Sequence, residues 1–321
     1  MVRVPVPRAR PAATAGRPGA WAVGSGAAPG TFGELLQGVL PDGRHFLVTL
    51  PITMGSTATF RYADDATGIT VHAPRKSKSA QVAALALEAL GRPGGGELTL
   101  AGELPEGKGL ASSSADLVAT VRAVADAFGI TLPATAVESL LREVEPSDGV
   151  MYEEIVAFLH REVRLHSRLG RLPPLVIVGY DEGGQVDTVA YNRRPAPVDA
   201  RARAEYALLL DRLTTAVAAG DLREAGAVAT RSAVLHARRR PRAALAPLLA
   251  ARAETGALGV VAAHSGTVLG VLLAADDPEL DRKTACLQAR YATLGGPSSL
   301  YHHAPGPAAP RDANEGNGDV L

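Results

Sequence analysis

Between Glu97 and Phe128 the chain passes from a short β-type run, through a glycine-rich turn, into a helix that opens on three serines. The turn reads Leu104-Pro105-Glu106-Gly107-Lys108-Gly109-Leu110-Ala111-Ser112-Ser113-Ser114-Ala115-Asp116. Leu117, Val121, Val124 and Phe128 then fall on one face, which predicts a helix over Ser112–Phe128. The first N–H groups of such a helix have no partner within it, and its positive end points into the turn. That geometry suits phosphate, and serine hydroxyls can bond phosphate oxygens or ligate Mg2+. The same residues also suit a plain serine cap after a flexible turn.

Gly102–Lys108 matches the first seven positions of a Walker-type loop, but Gly109 stands where Ser or Thr must hold the metal. Glu103 and Glu106 would also face phosphates, so that reading is set aside.

The rest of the chain reads as mixed α and β. His45–Ile52 and Ser56–Tyr62 suggest two strands divided at Gly55, and Lys78–Leu90 a helix ended by Gly91-Arg92-Pro93-Gly94. Ala134–Val144 has helical spacing, whereas Ile155–Leu159 fits helix or strand. Leu175–Val178 and Val186–Ala190 read as strands around Gly183-Gly184. Arg193–Pro197 suggests a boundary, with helices expected near 199–218, 221–238, 242–254 and 278–292. The expected organisation is a disordered tail over 1–24, one domain over 25–194, a second over 195–303 and a disordered tail over 304–321.

Charge excludes some functions. Lys plus Arg and Asp plus Glu are both 33, which argues against a dedicated nucleic-acid binder. Only Lys76, Lys78, Lys108 and Lys283 are lysines, a scarcity that reads as GC-rich codon usage. The single cysteine, Cys286, makes neither an internal disulfide nor a cysteine zinc site, and fits a cytoplasmic protein. Leu258–Ala275 lacks charged residues, but His264-Ser265-Gly266-Thr267 at its middle points to two buried strands and a polar turn, not a membrane span.

Three further segments hold chemistry-bearing residues. In Glu145-Pro146-Ser147-Asp148-Gly149 the proline ends the preceding helix, so both carboxylates sit at a chain break. There they can be aimed at a metal or a substrate hydroxyl, although Asp148 could also cap a following helix. Ala263-His264-Ser265-Gly266 could let a substrate approach the backbone or could be a simple hairpin. Ala28–Gly38 contains Gly30, Gly33 and Gly38, which permit tight turns.

In this order the four segments resemble the GHMP kinases, over about residues 25 to 300, and within them the L-threonine kinase branch. The resemblance implies an α+β fold of two lobes, the first like ribosomal protein S5 domain 2 and the second ferredoxin-like. It implies ATP and Mg2+, with the nucleotide held by Pro105, Gly107, Lys108, Gly109, Leu110, Ala111, Ser112, Ser113 and Ser114. Ser113 and Glu145 would ligate the metal, and Asp148 would be the base. Gly33, Glu34, His264, Ser265 and Gly266 would meet the substrate. The implied partner is a small molecule, L-threonine or another hydroxy amino acid or alcohol, with no nucleic acid and no membrane; a homodimer is compatible. A fold that binds ligand without catalysis is the alternative from another class. Thr31 departs from the family, many of whose members carry Lys or Arg there. Arg161 and Arg231 are candidate partners for a substrate carboxylate, though surface arginine is their ordinary role.

Overall fold

The computed structural model describes residues 22–73, 76–184 and 198–303. Two long antiparallel strands, β1 (Ala22–Val39) and β2 (His45–Ala63), run side by side. On one side of them lie β4 (Gly95–Gly102) and the short β3 (Ile69–Val71). On the other, β8 (Gly259–Ala262), β9 (Val268–Ala274), β7 (Leu175–Asp181) and β10 (Ser298–His303) extend the sheet in that order. A hairpin of β5 (Ile155–Leu159) and β6 (Arg164–Gly170) branches from β2. The result is a two-lobed α+β architecture on one ten-stranded sheet.

Helix α2 (Ser112–Asp126) lies against β1 and β2, with α1 (Ser77–Ala89) and α3 (Ala134–Arg142) beside it. Eleven of its fifteen residues are buried, so its small side chains face neighbours on nearly every side. In the second half, α4 (Ala200–Ala219) packs on α5 (Leu222–Arg239), and α5 covers β8 and β1. Helices α6 (Leu245–Thr255) and α7 (Leu280–Ala292) pack on each other and on β7–β9. Phe32, Leu35, Leu36, Phe46, Phe60 and Phe158 are fully buried in the larger core. Each such side chain supplies roughly 1.5–3 kcal/mol of transfer free energy.

Most expected elements are present within a few residues of their predicted ends, and Ile155–Leu159 is a strand. The charge-free window resolves into β8 and β9, paired antiparallel around His264–Thr267. No helix among the described residues is long and apolar enough to cross a membrane. Val186–Ala190, the boundary at Arg193–Pro197, residues 1–21 and residues 304–321 lie outside the described residues.

Three readings change. Gly55 does not divide two strands: β2 is continuous, because β1 runs so close that a Cβ on Gly55 would sit 2.3 Å from the Ala28 carbonyl oxygen. Ala28–Gly38 is not a run of turns but the inner part of β1. Its register with β2 shifts between Pro29 and Gly30 and on both sides of Glu34, absorbing the glycines as bulges. Finally, β1 begins at Ala22, so Ala22, Val23 and Gly24 are strand, not tail; Gly24 lies directly against the α2 backbone at Ala127.

Candidate active site

A cleft of about 300 Å3 opens where the start of α2 meets the Glu145–Asp148 break and the loop after β8. Its lining includes Glu34, Gly107, Gly109–Ser114, Glu145, Asp148, His264 and Ser265, so most residues singled out from sequence converge. Pro105, Lys108, Gly33 and Gly266 do not line it.

The serines are not caps. The residue before α2 is Ala111, in the left-handed conformation at φ 59°, and no side chain caps the helix. Ser112, Ser113 and Ser114 line the cleft at the helix's positive end. Ser113 Oγ donates a hydrogen bond to Glu145 Oε1, and Lys78 Nζ donates to Glu145 Oε2. Ser113 and Glu145 thus offer two hard oxygens side by side. Among the described residues no group of three His, Cys, Asp or Glu could hold a metal. A two-oxygen set is nevertheless what Mg2+ takes from protein when phosphates and water complete its shell.

Asp148 does not cap a helix, because irregular chain follows it to β5. Its backbone N–H donates to Ser114 Oγ at 3.0 Å. Burial, followed by the negative charge of Glu145, pushes its carboxyl up to about 6. Glu34 is 4% exposed, and burial, then Asp148, drives its carboxyl well above the usual range. The bulge in β1 places Glu34 opposite both Thr49 of β2 and Ala262 of β8.

The first and third motifs support the loop from below. A Cβ on Gly266 would lie 2.0 Å from the Lys108 carbonyl oxygen, and one on Gly109 would lie 2.4 Å from Ala263 Cβ. The Lys108 carbonyl accepts from Thr267 N–H at 3.1 Å and Val268 N–H at 3.3 Å. Gly266 therefore braces the turn by backbone contact, a different role from the substrate contact read from sequence. Gly33 similarly abuts the backbone of Ala262. The Lys108 side chain is turned from the cleft: its ammonium pairs with Asp181 Oδ2 at 2.6 Å and donates to the Gly184 carbonyl at 2.8 Å. His264 does line the cleft, its Nδ1 2.8 Å from Gln37 Oε1. Gln37 Nε2 donates to the Ala262 carbonyl, leaving Oε1 to accept from His264 Nδ1–H. Arg231 pairs with Glu205 at 2.6 Å on the helical surface, its ordinary role.

Sequence reasoning missed Lys76, Lys78, Glu106, Asp116 and His160, all of which line the cleft. Lys76 bridges Asp116 at 2.7 Å and also Glu106; although burial opposes its charge, those hydrogen bonds raise its pKa. A signal was available. In a chain with 29 Arg, three of the four lysines stand on this cleft or on its loop. A compact ammonium and a planar guanidinium are not interchangeable there.

The family model described as the GHMP kinases N terminal domain matches residues 77–153, from α1 through the Glu145–Asp148 break. Over that segment the chain is similar to the GHMP kinases. Among curated proteins it is similar to L-threonine kinase of Salmonella typhimurium, 27% identical over 179 residues, covering 53% of this chain and 57% of that one. It is equally similar to L-threonine kinase of Citrobacter freundii, at 27% over 179 residues, covering 56% and 62%. The match thus spans about three-fifths of those relatives' length. Homoserine kinase from Cytophaga hutchinsonii superposes with a TM-score of 0.69 at 17% identity, covering 88% of this chain and 95% of that one. Streptococcus pneumoniae phosphomevalonate kinase gives 0.66 at 14%, covering 87% and 98%. These two extend the GHMP fold beyond the matched segment to both lobes.

Proposed function

We propose that this protein is an ATP- and Mg2+-dependent cytoplasmic kinase that phosphorylates the side-chain hydroxyl of L-threonine, giving O-phospho-L-threonine. One observation carries the reading: the Ser113–Glu145 oxygen pair lies beside an uncapped helix start and the raised carboxyl of Asp148 in one cleft. The residues fit the implied cofactor. Backbone N–H groups of Gly107–Ser114 would hold phosphate oxygens, and Ser113 and Glu145 would hold the metal. When bound, Mg2+ and ATP supply the γ-phosphoryl group and neutralise its charge.

This chain's residues then position and deprotonate. Asp148, mostly ionised at pH 7 from a value of about 6, would take the proton of the acceptor hydroxyl while bound ATP and Mg2+ supply the phosphoryl chemistry. Lys76 and Lys78 add positive charge at the cleft wall. The two curated relatives support threonine as the acceptor. The test is ADP release with L-threonine, L-serine and L-homoserine, with products identified by mass. Threonine is expected to lead. Serine lacks one methyl and should be roughly 10–200-fold poorer. Homoserine displaces its hydroxyl by about one bond and should lose about 10²-fold. Turnover of another alcohol with none of threonine would overturn the assignment.

A further inference from the structure

Four histidines from separate parts of the chain cluster behind one wall of the cleft. His160 follows β5, His264 follows β8, His45 opens β2 and His236 lies on α5. Ring centroids are 5.1 Å apart for His160–His264, 5.8 Å for His236–His264 and 6.3 Å for His45–His160. His160 and His264 line the cleft. His160 is 3% exposed, yet neither of its ring nitrogens has a hydrogen-bond partner among the described residues. The same holds for both nitrogens of His236 and for Nε of Arg239. Buried polar groups are almost always bonded, so a wall with this many open positions is built for something that arrives. The His160 backbone carbonyl accepts from Ser147 N–H at 3.1 Å, which fixes this ring next to the Asp148 segment.

The surroundings select the sign of that ligand. Arg161 adjoins His160, with Arg203 and Arg239 near His45 and Arg239, Arg240 and Arg242 near His236. The acids lining the cleft are Glu34, which burial favours in its neutral form, Glu106, Asp116, Glu145 and Asp148, and none of them is among the charges that act on His160, His236 or His264. His160 is itself neutral, pushed down to about 3 by burial, then by Arg161 and His45. A neutral imidazole in a field of guanidinium groups offers an N–H donor to an anion without needing to gain a proton.

We propose that His160 recognises the carboxylate of the acceptor molecule, with the guanidinium groups around the histidine cluster supplying positive field behind it. This rests on the hydroxy amino acid reading of the acceptor. A carboxylate suits this wall better than a phosphate: it is a small, planar, singly charged group that an imidazole N–H in a positive field can hold, whereas a phosphate dianion asks for a cradle of donors.

Calorimetric binding of L-threonine and L-threoninamide, which differ in the carboxylate, tests this on the full chain, its H160L variant and its H160Q variant. The wild type should favour the acid by roughly 10–100-fold, the range for a hydrogen bond to a charged group. H160L should narrow that preference to less than about threefold, with ADP affinity kept and a Tm equal to or above the wild type, because leucine removes two unbonded polar atoms. H160Q, which keeps an N–H donor, should recover part of the preference. A full preference in H160L, or no preference in a wild type that binds ADP, overturns the proposal. So does loss of the fold in H160L, which would make His160 structural. If the wild type prefers the acid but phosphorylates no hydroxy amino acid, the kinase assignment fails and this inference stands.

Discussion

Asp148 faces two opposed demands. Its carboxyl is raised to about 6 by burial and by Glu145, so ionising it in the folded protein costs free energy that the unfolded chain does not spend. The penalty is absent below about pH 4, grows as pH rises and is complete above about pH 6. Asp148→Asn should therefore stabilise the fold by about 1–3 kcal/mol at pH 8 and by little at pH 4, read by denaturant titration at both pH values. Activity should move the other way. A base must be ionised, so wild-type turnover should rise with pH through about 6, and the variant should lose that limb and about 10²–10⁴ in rate. A loss under about tenfold would reduce Asp148 to a positioning group. Glu145→Gln should raise the Mg2+ concentration needed for half-maximal turnover while changing ADP affinity less, because it removes a hard charged oxygen beside Ser113. Turnover unchanged at limiting Mg2+ would contradict its role as a ligand.

At the scale of elements, the contact between the turn before α2 and the loop after β8 is the part most sensitive to small changes. A Cβ on Gly266 would meet backbone atoms of Lys108 and Gly109 at 2.0–2.3 Å, and backbone cannot step aside as a flexible side chain can. Gly266→Ala should cost about 1–3 kcal/mol and weaken nucleotide binding together, measured by Tm and by calorimetry. Gly68→Ala, where nothing lies within 4 Å, should change stability by less than about 0.5 kcal/mol. Elements with ordinary chemistry were legible in the sequence: α2 from its apolar stripe, β8 and β9 from their apolar runs, the α3 end from Pro146. Strand β1 was not, because Gly24, Gly26, Gly30, Pro29, Gly33 and Gly38 suppress every local strand signal. Those residues are chosen by what crosses them: the α2 backbone over Gly24 and Gly26, the Tyr206 ring over Gly38. No single-strand pattern contains that information.

For the whole molecule, the cleft is assembled from segments up to 230 residues apart, Glu34 to His264, and β1 is the strand that joins them. Gln37 secures the seam: its N–H donates to Ser232 Oγ at 3.1 Å on α5, and its side chain bridges Ala262 and His264. Asp148, Glu145 and the serine helix start were readable because each rests on local backbone chemistry. The His160 wall and the lysines were not, because their surroundings exist only after folding. Histidine in a sequence shows no burial, and scarce lysine looks like codon usage until two of the four lysines line the cleft and a third lies on its loop. The reaction proposed for this assembled cleft is phosphoryl transfer to a hydroxy amino acid. Incubation of the full chain with ATP, Mg2+ and L-threonine, with products resolved by mass, tests it most directly. O-phospho-L-threonine and ADP in equal amounts, both lost on chelation of Mg2+, are the expected products. A protein that binds ATP in this cleft yet forms no phosphorylated product from threonine, serine or homoserine would contradict it.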